Sequence, residues 1–162
     1  SDRRFGGAFL EFGSYTLLPI FKLFGCRYES VEFDSILAEN GVDLYTKIHF
    51  RYKDGLALSK TGIGVKSEGQ LVIAGTKGYI LAESPWWLTR SFAVRYEDPG
   101  KIERYSPKFL GDGLRYEIAD FVSKINGGNR MGYCLTKEES VAMAGVVERF
   151  MAERGKGRAL QV

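Results

Sequence analysis

From Asp43 to Tyr52 the stretch DLYTKIHFRY alternates without a break: Leu44, Thr46, Ile48, Phe50 and Tyr52 fall on one side, Tyr45, Lys47, His49 and Arg51 on the other. A period of two is that of a half-buried strand, with one face against a core and the other toward water. The KDG at Lys53 to Gly55 supplies a hairpin turn, and LALSKTGIGVKS returns beside the first strand. QLVIAGTKGYILAES holds a second hairpin around Gly75 to Gly78, and SFAVRY and KIERY extend the run. Short turns force successive strands to be antiparallel, so the chain from Tyr28 to Tyr105 reads as a mainly antiparallel meander of about six strands.

The period changes at both ends. Apolar residues are dense from Ala8 to Phe24 and Gly25 closes the run, the pattern of a helix with a C-terminal glycine. Pro19 lies inside it and lacks the N–H that would bond the Tyr15 carbonyl, so a kink or a late start is expected. GLRYEIADFVSKINGG sets Leu114, Ile118, Phe121, Val122 and Ile125 on one helical stripe that stops at Gly127. A further helix opens with TKEE, where Thr136 caps and Glu139 reaches back, and carries Val141, Met143, Val147, Phe150 and Met151. Helices flanking a meander give an α+β layer architecture: an open, mainly antiparallel sheet with helices packed on one face.

A chain of 162 residues fits one domain, expected over residues 1–155, with the basic end KGRALQV as a flexible tail from 156 to 162. Aromatic residues make up 14% of it, enough to suggest a large flat apolar surface that needs a partner. The net charge of +3 is too small and too dispersed for a nucleic-acid partner. Cys26 and Cys134 are far apart and outside any CxxC pair, which argues against a zinc site or a disulfide framework and suits a reduced, cytoplasmic protein. Apolar runs such as LLPIF are far short of the roughly 20 residues that span a bilayer, and no signal peptide is expected, so no membrane partner is either.

Candidate chemistry begins at GGAFLEFGSY, where Glu11 and Tyr15 stand four apart and project from one face of the first helix. Spacing alone is met as well by a solvated acid beside an amphipathic tyrosine. His49 is the single histidine, and a catalytic triad or His-ligated metal would have to run through it. Lys47 and Arg51 on the same strand face would repel a cation there, so His49 reads as a surface residue and no metal site is expected. GIGVKSEG, residues Gly62 to Gly69, lacks both GxGxxG and GxxxxGK[ST]; its glycines fit a bulge or close packing within strands better than a phosphate loop. Trp86 and Trp87 follow Pro85 and offer faces for sugar stacking, although core or interface anchoring is the commoner use.

Three ordered blocks of the sequence resemble one family. RRFGGAFLEFGSYTLLPIFKLFG is similar to the opening of the second domain of the Gfo/Idh/MocA oxidoreductases, which use NAD or NADP on sugars, inositols and related polyols. The family pattern there is a glycine pair, a short apolar step, Asp-x-Gly-x-His or Tyr, and a helix ending in Leu-x-Gly. GTKGYILAESPWW resembles its Gly-Thr-x-Gly hairpin and following tryptophan, and FLGDGLRYEIADFVSKINGG with LTKEESVAMAGVVERF resembles its two closing helices.

The resemblance implies that Tyr15 occupies the position beside the nicotinamide and substrate, and that Glu11 occupies the family's Asp position with one extra methylene. It gives Arg4 and Trp86 substrate-framing roles. It further implies that the amino-terminal Rossmann domain, the Glu-Lys-Pro segment with its catalytic lysine, and the NAD or NADP site lie outside this chain, as if it were cut from something longer. This chain alone is then expected to be inactive, to hold no cofactor, and to pair as a homodimer through the sheet face. The alternative is a non-catalytic carbohydrate-binding or assembly module with the same fold, which the Glu at position 11 favours.

Overall fold

The computed structural model describes residues 6–111, 113–128, 135–154 and 158–159. They form two compact units, one from residues 1–67 with 135–162, the other from residues 68–134. The α+β class holds: antiparallel ladders and three helices.

In the first unit α1 (Ala8–Phe24) precedes β1 (Ser30–Leu37), β2 (Asp43–Tyr52) and β3 (Gly55–Gly62). The strands pair in the order β3-β2-β1, and β1 also pairs in parallel with a two-residue strand at Arg158–Ala159, inside the span read from sequence as a tail. Tyr52 faces Gly55 across the Lys53–Asp54 turn, so KDG makes the expected hairpin. Thr46, Ile48, Phe50 and Tyr52 are buried and Lys47, His49 and Arg51 exposed, as the alternation requires. The ladder ends at Gly62, and GIGVKSEG beyond that residue is irregular rather than strand; the Leu44 carbonyl binds both Ile63 N and Gly64 N.

The buried sheet face is covered by α1 and the closing helix at Lys137–Glu153 through Phe9, Leu17, Ile20, Phe21, Val146 and Phe150. Phe150 meets the edges of Phe9 and Phe33 at centroid distances of 4.8 and 5.3 Å. The closing helix starts with the expected capping box: Thr136 Oγ1 accepts from Glu139 N, and Glu139 Oε2 accepts from Thr136 N. Glu139 also binds Lys22 Nζ at 2.8 Å, tying this helix to α1. That ammonium, then the Thr136 N–H, hold the Glu139 carboxyl below the usual carboxylate range. Of the expected stripe Met143, Val147 and Phe150 face the core, joined by Val146, while Val141 and Met151 are exposed. α1 itself starts at Ala8 and continues past Pro19, so the late start is not taken.

In the second unit four strands, β4 (Leu71–Gly75), β5 (Gly78–Ala82), β6 (Phe92–Tyr96) and β7 (Ile102–Tyr105), pair consecutively and antiparallel. At the second hairpin Gly78 has φ 153°, and a Cβ there would lie 2.3 Å from the Arg95 carbonyl oxygen, so only glycine lets β6 come this close. A 3-10 turn at Trp86–Leu88 links β5 to β6, and α2 (Gly113–Ile125) follows the last strand. α2 ends before Gly127, as its sequence indicates, but Leu114, Ile118, Phe121, Val122 and Ile125 are all exposed.

Candidate functional site

The first turn of α1 is held by a side chain from the sheet. Gly7 stands at the N-cap with φ 135° and no side chain to cap with. Asp43 supplies the missing acceptor: its Oδ2 receives Phe9 N at 2.8 Å and Thr46 Oγ1 at 2.9 Å, and Thr46 Oγ1 also meets Ser35 Oγ at 2.9 Å. A fully buried carboxylate aimed at free N–H groups is favoured by the positive end of the helix dipole. An ideal Cβ on Gly7 would lie 1.9 Å from Asp43 Oδ1, so the glycine is a condition of this contact. Arg154, also buried, donates from Nη1 to the Gly6 carbonyl at 3.2 Å and closes the other side of the glycine pair.

Asp43 was not identified from the sequence as a site residue. In an unbroken strand it would share the outward face of Tyr45, Lys47 and His49. A register irregularity at Ile36/Leu37, where Leu37 pairs with Asp43, turns it inward. An acid at the head of an apolar strand, following the turn ENGV, is the one sequence cue that bears on it.

Beyond this anchor, α1 presents Glu11 and Tyr15 to the outside. Tyr15 is 56% exposed, Glu11 is exposed, and neither side chain forms a hydrogen bond or ion pair with a described residue. Four residues apart on one helix, they share a face one turn from each other. The side of α1 bearing Phe9, Leu17, Ile20 and Phe21 is buried, so the pair owes its outward position to the amphipathic pattern of the helix. Neither is a packing residue.

Arg4 lies outside the described residues. Trp86 belongs to the second unit, where its backbone N–H bonds the Gly69 carbonyl at 3.1 Å and its ring meets Trp87 edge-on at 6.3 Å. Trp86 is half-buried and Trp87 exposed, so neither indole is a core anchor. His49 is exposed on the outward face of β2, as expected. Burial, then Glu138 and Glu139, push the Cys26 thiol up, which disfavours the reactive thiolate. Among the described residues no group of three or more His, Cys, Asp or Glu side chains is placed to hold a metal, and no helix is long and apolar enough to cross a membrane.

No family model matches the sequence and no curated protein matches it. Solved structures do. KijD10, a 3-ketoreductase from Actinomadura kijaniata crystallised with TDP-benzene and NADP, superposes with a TM-score of 0.71 at 17% identity, over 96% of this chain and 48% of its own. The probable oxidoreductase yhhX gives 0.63 at 21% identity, over 88% of this chain and 47% of its own. UDP-N-acetylglucosamine 3-dehydrogenase GnnA from Acidithiobacillus ferrooxidans gives 0.64 at 16%, over 82% and 42%. The chain spans about half the length of the solved structures it matches. It has the fold of half of these oxidoreductases, and the resemblance to the Gfo/Idh/MocA family seen in its sequence is borne out at the level of the fold.

Proposed function

We propose that this chain is the carboxy-terminal, substrate-binding and oligomerising domain of an NAD- or NADP-dependent oxidoreductase acting on a sugar or polyol. The observation that carries the reading is the outward presentation of Tyr15 and Glu11 from a helix whose start is fixed by Asp43. A tyrosine that acts on a substrate must be reachable from outside the core, as this one is. The fold shared with KijD10 and GnnA supports the reaction class, and the names of those proteins support a sugar-type substrate.

The described residues contain no glycine turn between a strand and a helix of the kind that cradles a dinucleotide, so the cofactor would be held by a Rossmann domain outside this chain. That group would supply the hydride donor or acceptor when bound. The part played by this chain is proton transfer and orientation. The Tyr15 hydroxyl relays a proton at the substrate oxygen, and Glu11 orients either Tyr15 or a neighbouring sugar hydroxyl. A phenol with an ordinary pKa of about 10 needs a nearby cation to act as a base near pH 7, a role for a lysine of the other domain. Arg4 is proposed to help frame the substrate, and the exposed edge of the Trp86–Trp87 pair to offer a face for a sugar in the second unit by itself.

Dimerisation through the outward face of β1–β3 is part of the same proposal. Leu56 and Leu58 are 70% and 62% exposed there, beside the cross-strand pairs Glu32–His49 and Asp34–Lys47. Apolar side chains flanked by polar ones suit a two-fold contact. Light scattering at tens of micromolar is expected to give twice the chain mass; a monomer removes this part.

The reading as a whole is tested by assaying the intact protein, with its upstream region, for nicotinamide-dependent turnover of a panel of sugars. Turnover is expected. An upstream region with no glycine-rich turn or lysine, and no turnover, would leave a non-catalytic module of the same fold.

A further inference from the structure

We infer that a depression over Ala93, on one face of the β4–β7 sheet, binds a phosphoryl-type oxyanion through Arg95 and Arg104. The inference concerns residues 68–134 alone and does not rest on the oxidoreductase reading. Ala93 is paired with Arg104 and Arg95 with Ile102, so the two arginines share a sheet face and stand diagonal to each other across β6 and β7. Ala93 between them is buried and short. Long side chains around a methyl group leave a cavity of about 110 Å³, with Ser91, Ser106 and Glu83 also on its lining.

Like charges on a diagonal of adjoining strands disfavour each other, and an anion between them relieves that. Neither Arg95 nor Arg104 forms an ion pair or hydrogen bond with a described residue, and Arg95 Nε is buried without a partner. A donor removed from water and left unmatched gains when an acceptor is brought to it. The planar fork of arginine fits the oxygens of phosphate, and the hydroxyls of Ser91 and Ser106 add donors on the same lining.

Glu83 sets the selectivity. One of its oxygens accepts from Gln70 Nε2 at 2.6 Å. Two guanidiniums less one carboxylate leave a net charge of +1 over the depression, which weakens the hold on a free dianion. The same carboxylate offers an acceptor to a hydroxyl beside the bound group. A phosphorylated sugar places carbon-borne hydroxyls beside the bound phosphoryl group, within reach of that acceptor, and so adds a contact that inorganic phosphate, limited to its own P–OH, makes less well.

The test is a nitrogen-15 amide titration of the 162-residue chain at low ionic strength with inorganic phosphate, glucose 6-phosphate and glucose in turn. Saturable shifts at Ala93, Arg95 and Arg104 are expected with both phosphates, tighter by about threefold or more for glucose 6-phosphate, and none with glucose. Arg104 is exposed, so Arg104→Met preserves the fold; it is expected to weaken binding by about tenfold, while Arg90→Met outside the depression leaves it unchanged. Absence of saturable shifts, or shifts that Arg104→Met does not alter, overturns the inference. So does an Arg104→Met variant that turns a dimer into a monomer in sedimentation with no phosphate effect, since the arginines would then serve an interface.

Discussion

Replacing Asp43 tests whether the start of α1 is held from the sheet. Asp43→Ala removes the acceptor for Phe9 N and Thr46 Oγ1, both at 2.9 Å or less. Loss of a helix N-terminal acceptor costs roughly 0.5–2 kcal/mol, and hydrogen bonds to a charged group contribute roughly 1.5–3 kcal/mol each. Removing a buried carboxylate also relieves its desolvation, and Oδ1 has no hydrogen-bond partner among the described residues, so the net loss is set at about 2–3 kcal/mol. Thr46 keeps its contact to Ser35 and is not orphaned. Asp43→Asn keeps an oxygen facing Phe9 N and loses only the charge, for a cost of about 1 kcal/mol. In urea, with a slope of about 2 kcal/mol/M, the alanine variant should lower the unfolding midpoint by about 1–1.5 M and the asparagine variant by about 0.5 M. The assay is far-ultraviolet circular dichroism against urea. Losses below about 0.5 kcal/mol for both variants would refute the claim that Asp43 fixes this helix.

Alkaline titration gives a second expectation. Tyr52 donates to the Gly25 carbonyl at 3.0 Å, and burial, then Cys26 and Tyr28, push its phenol up to about 12 from an ordinary 10. A folded-state pKa above the unfolded one gives stability that is complete below pH 10 and is lost as pH rises through about 12, on the order of 3 kcal/mol in all. Tyr52→Phe should flatten that loss; an unchanged profile between pH 10 and 12 contradicts the assignment. The capping box gives a third: Thr136→Ala should cost about 1 kcal/mol in the same urea assay, and a neutral result would show that the Lys22–Glu139 pair alone fixes the helix start.

What the sequence made legible is what local periodicity encodes. The β2 alternation, the KDG hairpin, the Gly25 stop and the Thr136–Glu139 box all follow from residues within a few positions of one another, and each is found in place. Glu11 and Tyr15 belong with these, because a spacing of four fixes a shared helix face whatever the rest of the chain does. The features that escaped depend on distant partners. Asp43 is turned inward by a register irregularity against Leu37, and Arg154 meets a glycine pair 148 residues away. The break between the two ladders after Gly62 is equally hidden, since both sides of it read as strand. Trp86 and Trp87 show the limit for single residues: the sequence could favour an anchor, but only their surroundings decide how far each is covered.

The central claim is the proposal that the Tyr15 hydroxyl takes part in proton transfer, and its most direct measurement is the steady-state kinetics of Tyr15→Phe in the intact protein, assayed with NAD or NADP. Because the hydroxyl matters chiefly in the transition state, kcat should fall by about 10²–10⁴ while KM changes only a few-fold. The side chain is exposed, so the phenylalanine variant should fold as the parent does. A kcat within about twofold of the parent would contradict the account and leave Tyr15 a surface aromatic.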